Sequence, residues 1–172
     1  MLAVVYFLKT NIDKINAFRE KYDFSFNLIK PHITIVSPIS EIPENILIEH
    51  VEEITKDIKS FSIQLKGITK TSDGCLFLMV KEGVEKIVIL HDKLYSGILK
   101  PYIPTDYPFA PHITLGDFAK TSYKLLEKAY LEAQAPNFNI RYKLDTLTMN
   151  HVKEEKAKPN SRLRGNINFD FL

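Results

Sequence analysis

The chain has 172 residues, with hydrophobic residues at 45% and charged residues at 26%. This is the balance of one ordinary globular domain, or at most two small ones, and not of a disordered segment. Lys plus Arg number 23 against 21 Asp plus Glu, a formal charge of +2, which excludes a protein that coats a long polyanion by charge alone; any RNA-like partner has to be gripped locally, at a site. A single cysteine, Cys75, excludes a disulfide framework and a CxxC zinc site and fits a reducing cytosol.

Residues 1–8, Met-Leu-Ala-Val-Val-Tyr-Phe-Leu, lack the basic leader and cleavage site of a signal peptide and read as a buried strand. No run reaches the roughly 20 apolar residues that cross a bilayer. Asn11 then suits the cap of a helix running to about Tyr22, with Ile12, Ile15 and Phe18 at helical spacing. Pro31-His32-Ile33-Thr34-Ile35-Val36 is a β-rich run halted by Ser37-Pro38, and residues 43–58 repeat Ile46, Leu47, Val51, Ile54 and Ile58 as an amphipathic helix does. Phe61-Ser62-Ile63-Gln64-Leu65 alternates with period two, and a turn at Asp73-Gly74 separates it from the apolar strand 76–80.

The same order then recurs. A helix is predicted over residues 84–99, a Pro-punctuated loop over 100–110, and a strand at Pro111-His112-Ile113-Thr114-Leu115. A helix over 122–135 and an alternating strand over 138–142 follow, with a polar hairpin loop or tip over 150–165 before a last strand over 167–172. His32 and His112 lie 80 residues apart and Phe61 and Phe138 lie 77 apart. Spacings of this size suggest two related units, about 1–73 and 74–172, in one interdependent domain.

Residues two apart on a strand share a face, so His32 stands beside Thr34 and His112 beside Thr114, with Ile33, Ile35, Ile113 and Leu115 directed to the core. If a pseudo-two-fold axis relates the units, both pairs converge on one cleft. Such a constellation suits a phosphodiester. One neutral imidazole takes a proton from the attacking oxygen, the other as imidazolium protonates the leaving oxygen, and the threonine hydroxyls donate to non-bridging phosphate oxygens. The scheme calls for no metal or other cofactor.

Two H-x-T motifs about 80 residues apart in duplicated βαβ-type units resemble the 2H phosphoesterase superfamily, which includes "2′-5′ RNA ligase" proteins and cyclic nucleotide phosphodiesterases. Tyr22-Asp23 through Leu28-Ile29 into Pro31-His32-Ile33-Thr34, and Lys93-Leu94-Tyr95-Ser96-Gly97-Ile98-Leu99, are closest to its bacterial YjcG-like branch. The resemblance implies a bilobal α+β fold, each lobe an antiparallel sheet with helices outside and the active cleft between. It also implies that one lobe contains both termini and the lobes exchange strands, that His32 and His112 are the acid/base pair, and that Thr34 and Thr114 are phosphate ligands. The implied activity is a phosphodiesterase acting on a 2′,3′- or 1″,2″-cyclic phosphate or a 2′-5′ linkage of a nucleotide or RNA end, with RNA ligase activity as an extension.

Other residues carry weaker readings. Tyr102, Tyr107 or Phe109, in the loop before the second motif, are candidates to stack a base, while Lys30, Lys153, Arg162 and Arg164 are candidates to add charge for phosphate. His50, His91 and His151 read as surface residues, and Cys75 as a small buried hydrophobe. A metal held by His32 and His112 lacks acidic partners within either motif. Two other function classes use the same chain: a non-catalytic binder of RNA ends or a signalling nucleotide in the same cleft, and an interaction scaffold.

Overall fold

The computed structural model describes residues 1–119, 121–152 and 166–172. In chain order the elements are β1 (Leu2–Phe7), α1 (Asp13–Tyr22), β2 (His32–Ile39), α2 (Glu44–Thr55), β3 (Phe61–Lys70) and β4 (Cys75–Glu82). The chain continues with α3 (Val84–Leu94), β5 (His112–Asp117), α4 (Tyr123–Glu132), β6 (Asn139–Leu144), β7 (Thr146–His151) and β8 (Ile167–Asp170). They form two four-stranded antiparallel sheets, in the orders β2-β1-β7-β8 and β5-β4-β3-β6. Both termini therefore belong to the first sheet. Strand β3, from the first part of the chain, lies in the second sheet.

The two motif strands are both edge strands, and β2 lies against β5. The helices cross over between the sheets. Helix α1, which connects two strands of the first sheet, packs on β5 of the second, and α3, which connects two strands of the second, packs on β2 and α2. Tyr6 Oη donates to the carbonyl of Lys143 (3.0 Å) and Tyr142 Oη to that of Asn11 (3.2 Å), tying the sheets together across the junction. Buried apolar side chains from both sheets form one continuous core.

Several elements differ from their sequence expectations. Asn11 does not cap α1: it has φ +52°, and the helix starts after Ile12 with no side-chain cap. The helix predicted over 84–99 stops at Leu94, because Gly97 turns left-handed (φ +54°) and the chain tightens into a 3₁₀ turn over Gly97–Tyr102. Ser122 does cap α4, accepting from the Leu125 amide at 3.3 Å. Strand β7 begins inside a segment without a predicted element. Its Thr146 and Thr148 are buried because their hydroxyls donate to Asp170 Oδ1 (2.9 Å) and Asn168 Oδ1 (2.8 Å) of β8, so two polar residues occupy an interior strand without an unmet donor. The predicted loop over 150–165 falls mostly outside the described residues, as do Lys153, Arg162 and Arg164. Among the described residues no helix is long and apolar enough to cross a membrane.

The approach of α1 to β5 depends on Gly116. A Cβ there would stand 2.8 Å from the Tyr22 carbonyl oxygen and 2.8 Å from the Phe118 ring, and the first of these is backbone that cannot swing aside. Gly116→Ala is expected to destabilise the fold by about 1–3 kcal/mol, as overpacking does. Urea unfolding should show a lowered midpoint with an unchanged slope.

Candidate functional site

The H-x-T alternation falls on the two strands as their pleat requires. Ile33, Ile35, Ile113 and Leu115 are buried, while His32, Thr34, His112 and Thr114 are half-buried on the opposite faces. Each histidine starts its strand, where the preceding loop has just turned in. His32 Nδ1 lies 2.9 Å from the Lys30 carbonyl, and His112 Nδ1 lies 2.6 Å from the Ala110 carbonyl. A carbonyl only accepts, so Nδ1 carries the proton in both rings and Nε2 holds the lone pair of each neutral imidazole. Neither Nε2, nor the hydroxyl of Thr34 or Thr114, has a hydrogen-bond partner among the described residues.

Aromatic rings fix the imidazole planes. Phe7, cross-strand partner of His32, meets it edge-on at 5.8 Å between centroids, and Phe77 stacks on His112 at 3.6 Å with 19° between planes. In the sequence each of these phenylalanines reads only as an apolar strand residue. Strand alternation that places Phe7 opposite the motif was the available signal.

Burial pushes both imidazoles below their ordinary pKa of 6.5, because the charged form loses hydration; the carbonyl bonds oppose this. His32 is lowered further by the charges of Arg19 and His112 and raised by Asp23. The strands that carry the two imidazoles, β2 and β5, lie against each other, and the charge of His112 is one of those that lower His32.

The other candidates are placed differently. Tyr107 is 71% exposed, whereas Tyr102 is half-buried against the core. Phe109 has one face covered by His91, whose ring lies 3.9 Å away at 13°. His91 is thus buried and not a surface residue; the helix it sits on faces β2, not solvent. His50 is likewise half-buried, donating from Nε2 to the Leu94 carbonyl at 2.8 Å, and His151 is half-buried in β7 with Nε2 3.5 Å from Glu44. Lys30 is exposed and contributes its carbonyl. Burial and the nearby carboxylates of Asp117 and Asp73 push the Cys75 thiol up to about 11, which keeps it an unreactive thiol at neutral pH. Among the described residues no three His, Cys, Asp or Glu side chains are grouped to hold a metal ion.

Solved structures with this architecture are E. coli LigT in apo form (TM-score 0.66, 17% identity, covering 98% of this chain and 96% of that one) and E. coli LigT complexed with 3′-AMP (0.65, 16%, 98% and 97%). A third is the TT0787 protein of Thermus thermophilus (0.62, 16%, 98% and 93%). The likeness defines the class of fold: bilobal α+β, of the 2H phosphoesterase type. The profile of the 2′-5′ RNA ligase superfamily matches residues 8–154, and the chain belongs to that superfamily. Among curated proteins, one of Oceanobacillus iheyensis is 32% identical over 148 residues (80% of this chain, 85% of that protein). Another of Bacillus licheniformis is 33% identical over 109 residues (60% of this chain, 62% of that protein); both carry the name "Putative phosphoesterase".

Both imidazoles are expected to titrate below 6.5 in NMR. Replacing His112 by Gln should move the His32 midpoint upward, since the charge that repels its proton is gone. Because the folded values are depressed, the unfolded chain binds more protons just below pH 6.5. Stability contributed by the neutral rings is therefore present above 6.5 and lost as pH falls through the folded midpoints. A midpoint above 6.5 for either ring would contradict the desolvation described.

Proposed function

We propose that this member of the superfamily is a metal-independent phosphodiesterase. It opens a 2′,3′- or 1″,2″-cyclic phosphate, or cleaves a 2′-5′ linkage, on a nucleotide or RNA end. The observation that carries the reading is the pair of imidazoles on abutting edge strands, each with Nδ1–H engaged by a carbonyl and Nε2 without a partner among the described residues. Two such nitrogens differ only by the proton one of them holds, which is what concerted acid/base catalysis needs.

In the forward step one neutral Nε2 takes a proton from water as the water oxygen bonds to phosphorus. The P–O bond to the leaving oxygen breaks, and that oxygen takes the proton held by the other Nε2. The two rings exchange protonation states, and proton exchange with solvent resets them. With a ribose hydroxyl in place of water, the same groups run in the direction of ligation. Thr34 and Thr114 donate their hydroxyls to the non-bridging oxygens, which gain charge as the fifth bond forms. Tyr107, exposed in the loop before β5, offers a stacking face for a base, and Phe109 its uncovered face.

The test is a panel of 2′,3′-cyclic nucleotides, an ADP-ribose 1″,2″-cyclic phosphate, an RNA with a cyclic-phosphate end, and 2′-5′ oligoadenylates, all with chelator present. His32→Ala and His112→Ala are each expected to lower kcat by ~10²–10⁴-fold, and Thr34→Val or Thr114→Val by about 10²-fold. The pH dependence of kcat/KM should be bell-shaped with its maximum below 6.5: activity rises as the base loses its proton and falls as the acid loses its own, and both free-protein midpoints are depressed. Turnover that survives either histidine change, or no turnover across the panel, overturns the reading.

A further inference from the structure

The cross-strand partner of His32 is Phe7, and that of His112 is Met79. Twelve residues after Phe7 stands Arg19; twelve after Met79 stands His91. Arg19 is on α1 and His91 on α3, and each is a polar side chain sunk in the interior, 2% and 5% exposed.

The equivalence extends to what they touch. Arg19 Nη2 donates to the Ile29 carbonyl at 2.9 Å, and Ile29 is three residues before His32. His91 stacks on Phe109, three residues before His112. In both cases the gripped residue is followed directly by the one whose carbonyl accepts from the histidine's Nδ1, Lys30 or Ala110. Each helical residue is itself braced four positions on. Arg19 Nε and Nη2 both reach Asp23 Oδ2 at 2.8 Å, and His91 packs on Tyr95 at 4.7 Å between centroids, its Nδ1 held 2.9 Å from Asp92.

These contacts are not the least costly way to fill a core. The buried Arg19 guanidinium leaves Nη1 without a hydrogen-bond partner among the described residues, a cost that an apolar residue in α1 would avoid. The same helices reach the opposite motif strand: the Tyr22 carbonyl closes on Gly116 of β5, and Tyr95 Oη accepts from the Ser37 amide of β2 at 2.9 Å. Each anchor thus touches the residue just before the carbonyl that holds a histidine, while its helix reaches the other motif strand.

We propose that Arg19 and His91 are the matched positioning residues of the two half-sites, each fixing the loop carbonyl that holds its own histidine as the Nδ1–H tautomer. The proposal rests on the acid/base roles given to His32 and His112, but its readout does not.

The experiment is long-range ¹H–¹⁵N NMR of the imidazoles in the full chain, which reports tautomer and protonation without any turnover. The charges facing His32 are Arg19, His112 and Asp23, so tautomer, and not midpoint alone, is the quantity to follow. Arg19→Lys keeps the charge but loses the fork; it is expected to weaken the Nδ1–H signature of His32 and leave that of His112 intact. Arg19→Met with Asp23→Leu removes both members of the buried pair, avoiding an orphaned charge, and should act in the same direction more strongly. His91→Ala should disturb His112 alone, and His91→Phe, which keeps a ring against Phe109, should restore it. If phosphodiesterase activity is found, kcat should fall about tenfold or more in the Arg19 and His91→Ala variants with KM nearly unchanged. Unaltered tautomers in all variants, or both histidines moving together in each, would overturn the proposal whatever the activity assay shows.

Discussion

The structure depends on a reciprocal packing constraint. Each motif strand is an edge strand, with one side paired inside its own sheet and the other turned towards the second motif strand. What holds two edges there without fusing them into one continuous sheet is the exchange of helices, α1 lying on β5 and α3 on β2. Neither sheet is complete without the helix supplied from the other, so the junction is a core and not a hinge between independent bodies. Gly116, the glycine that lets α1 close on β5, sits four residues beyond the second histidine, so the packing that stabilises the fold is also packing beside the site.

The local chemistry repeats, but its surroundings do not. Both rings direct Nδ1–H to the carbonyl two residues earlier, a bond that follows from the loop turning directly into the first residue of the strand. His32 has an edge-on phenylalanine and a permanent cation nearby, whereas His112 has a stacked phenylalanine and only its desolvation and its carbonyl bond. Two groups of the same kind in unequal fields bind a proton with unequal strength.

Much of this was legible in the sequence because it rests on period. The alternation of His and Thr with Ile and Leu assigns faces without any tertiary information, and the recurrence 80 residues later pairs the half-sites. Helix ends were less legible, since Asn11 and Gly97 each adopt a left-handed conformation chosen by the tertiary path of the chain and not by a local cap. Strand β7 was hidden because Thr146 and Thr148 look polar in isolation, and only their hydrogen bonds to β8 make burial tolerable. The burial of His91 is illegible for a related reason: a histidine on an amphipathic helix is ordinarily solvated, and nothing local reveals that α3 turns that face to β2 of the other sheet.

That contrast between His91 and the motif histidines reflects what sequence period can report. Periodicity reports residues that act through their own strand, so the two H-x-T words are visible at once. Residues that act through a loop carbonyl obey no period, and Arg19 and His91 share neither charge nor shape. They become comparable only when counted from the strand partners Phe7 and Met79. One position has settled on an ion pair with a main-chain fork and the other on a ring stack, and both deliver a carbonyl to an Nδ1–H. The geometry at the histidine is thus the repeated quantity, and two different chemistries accompany it.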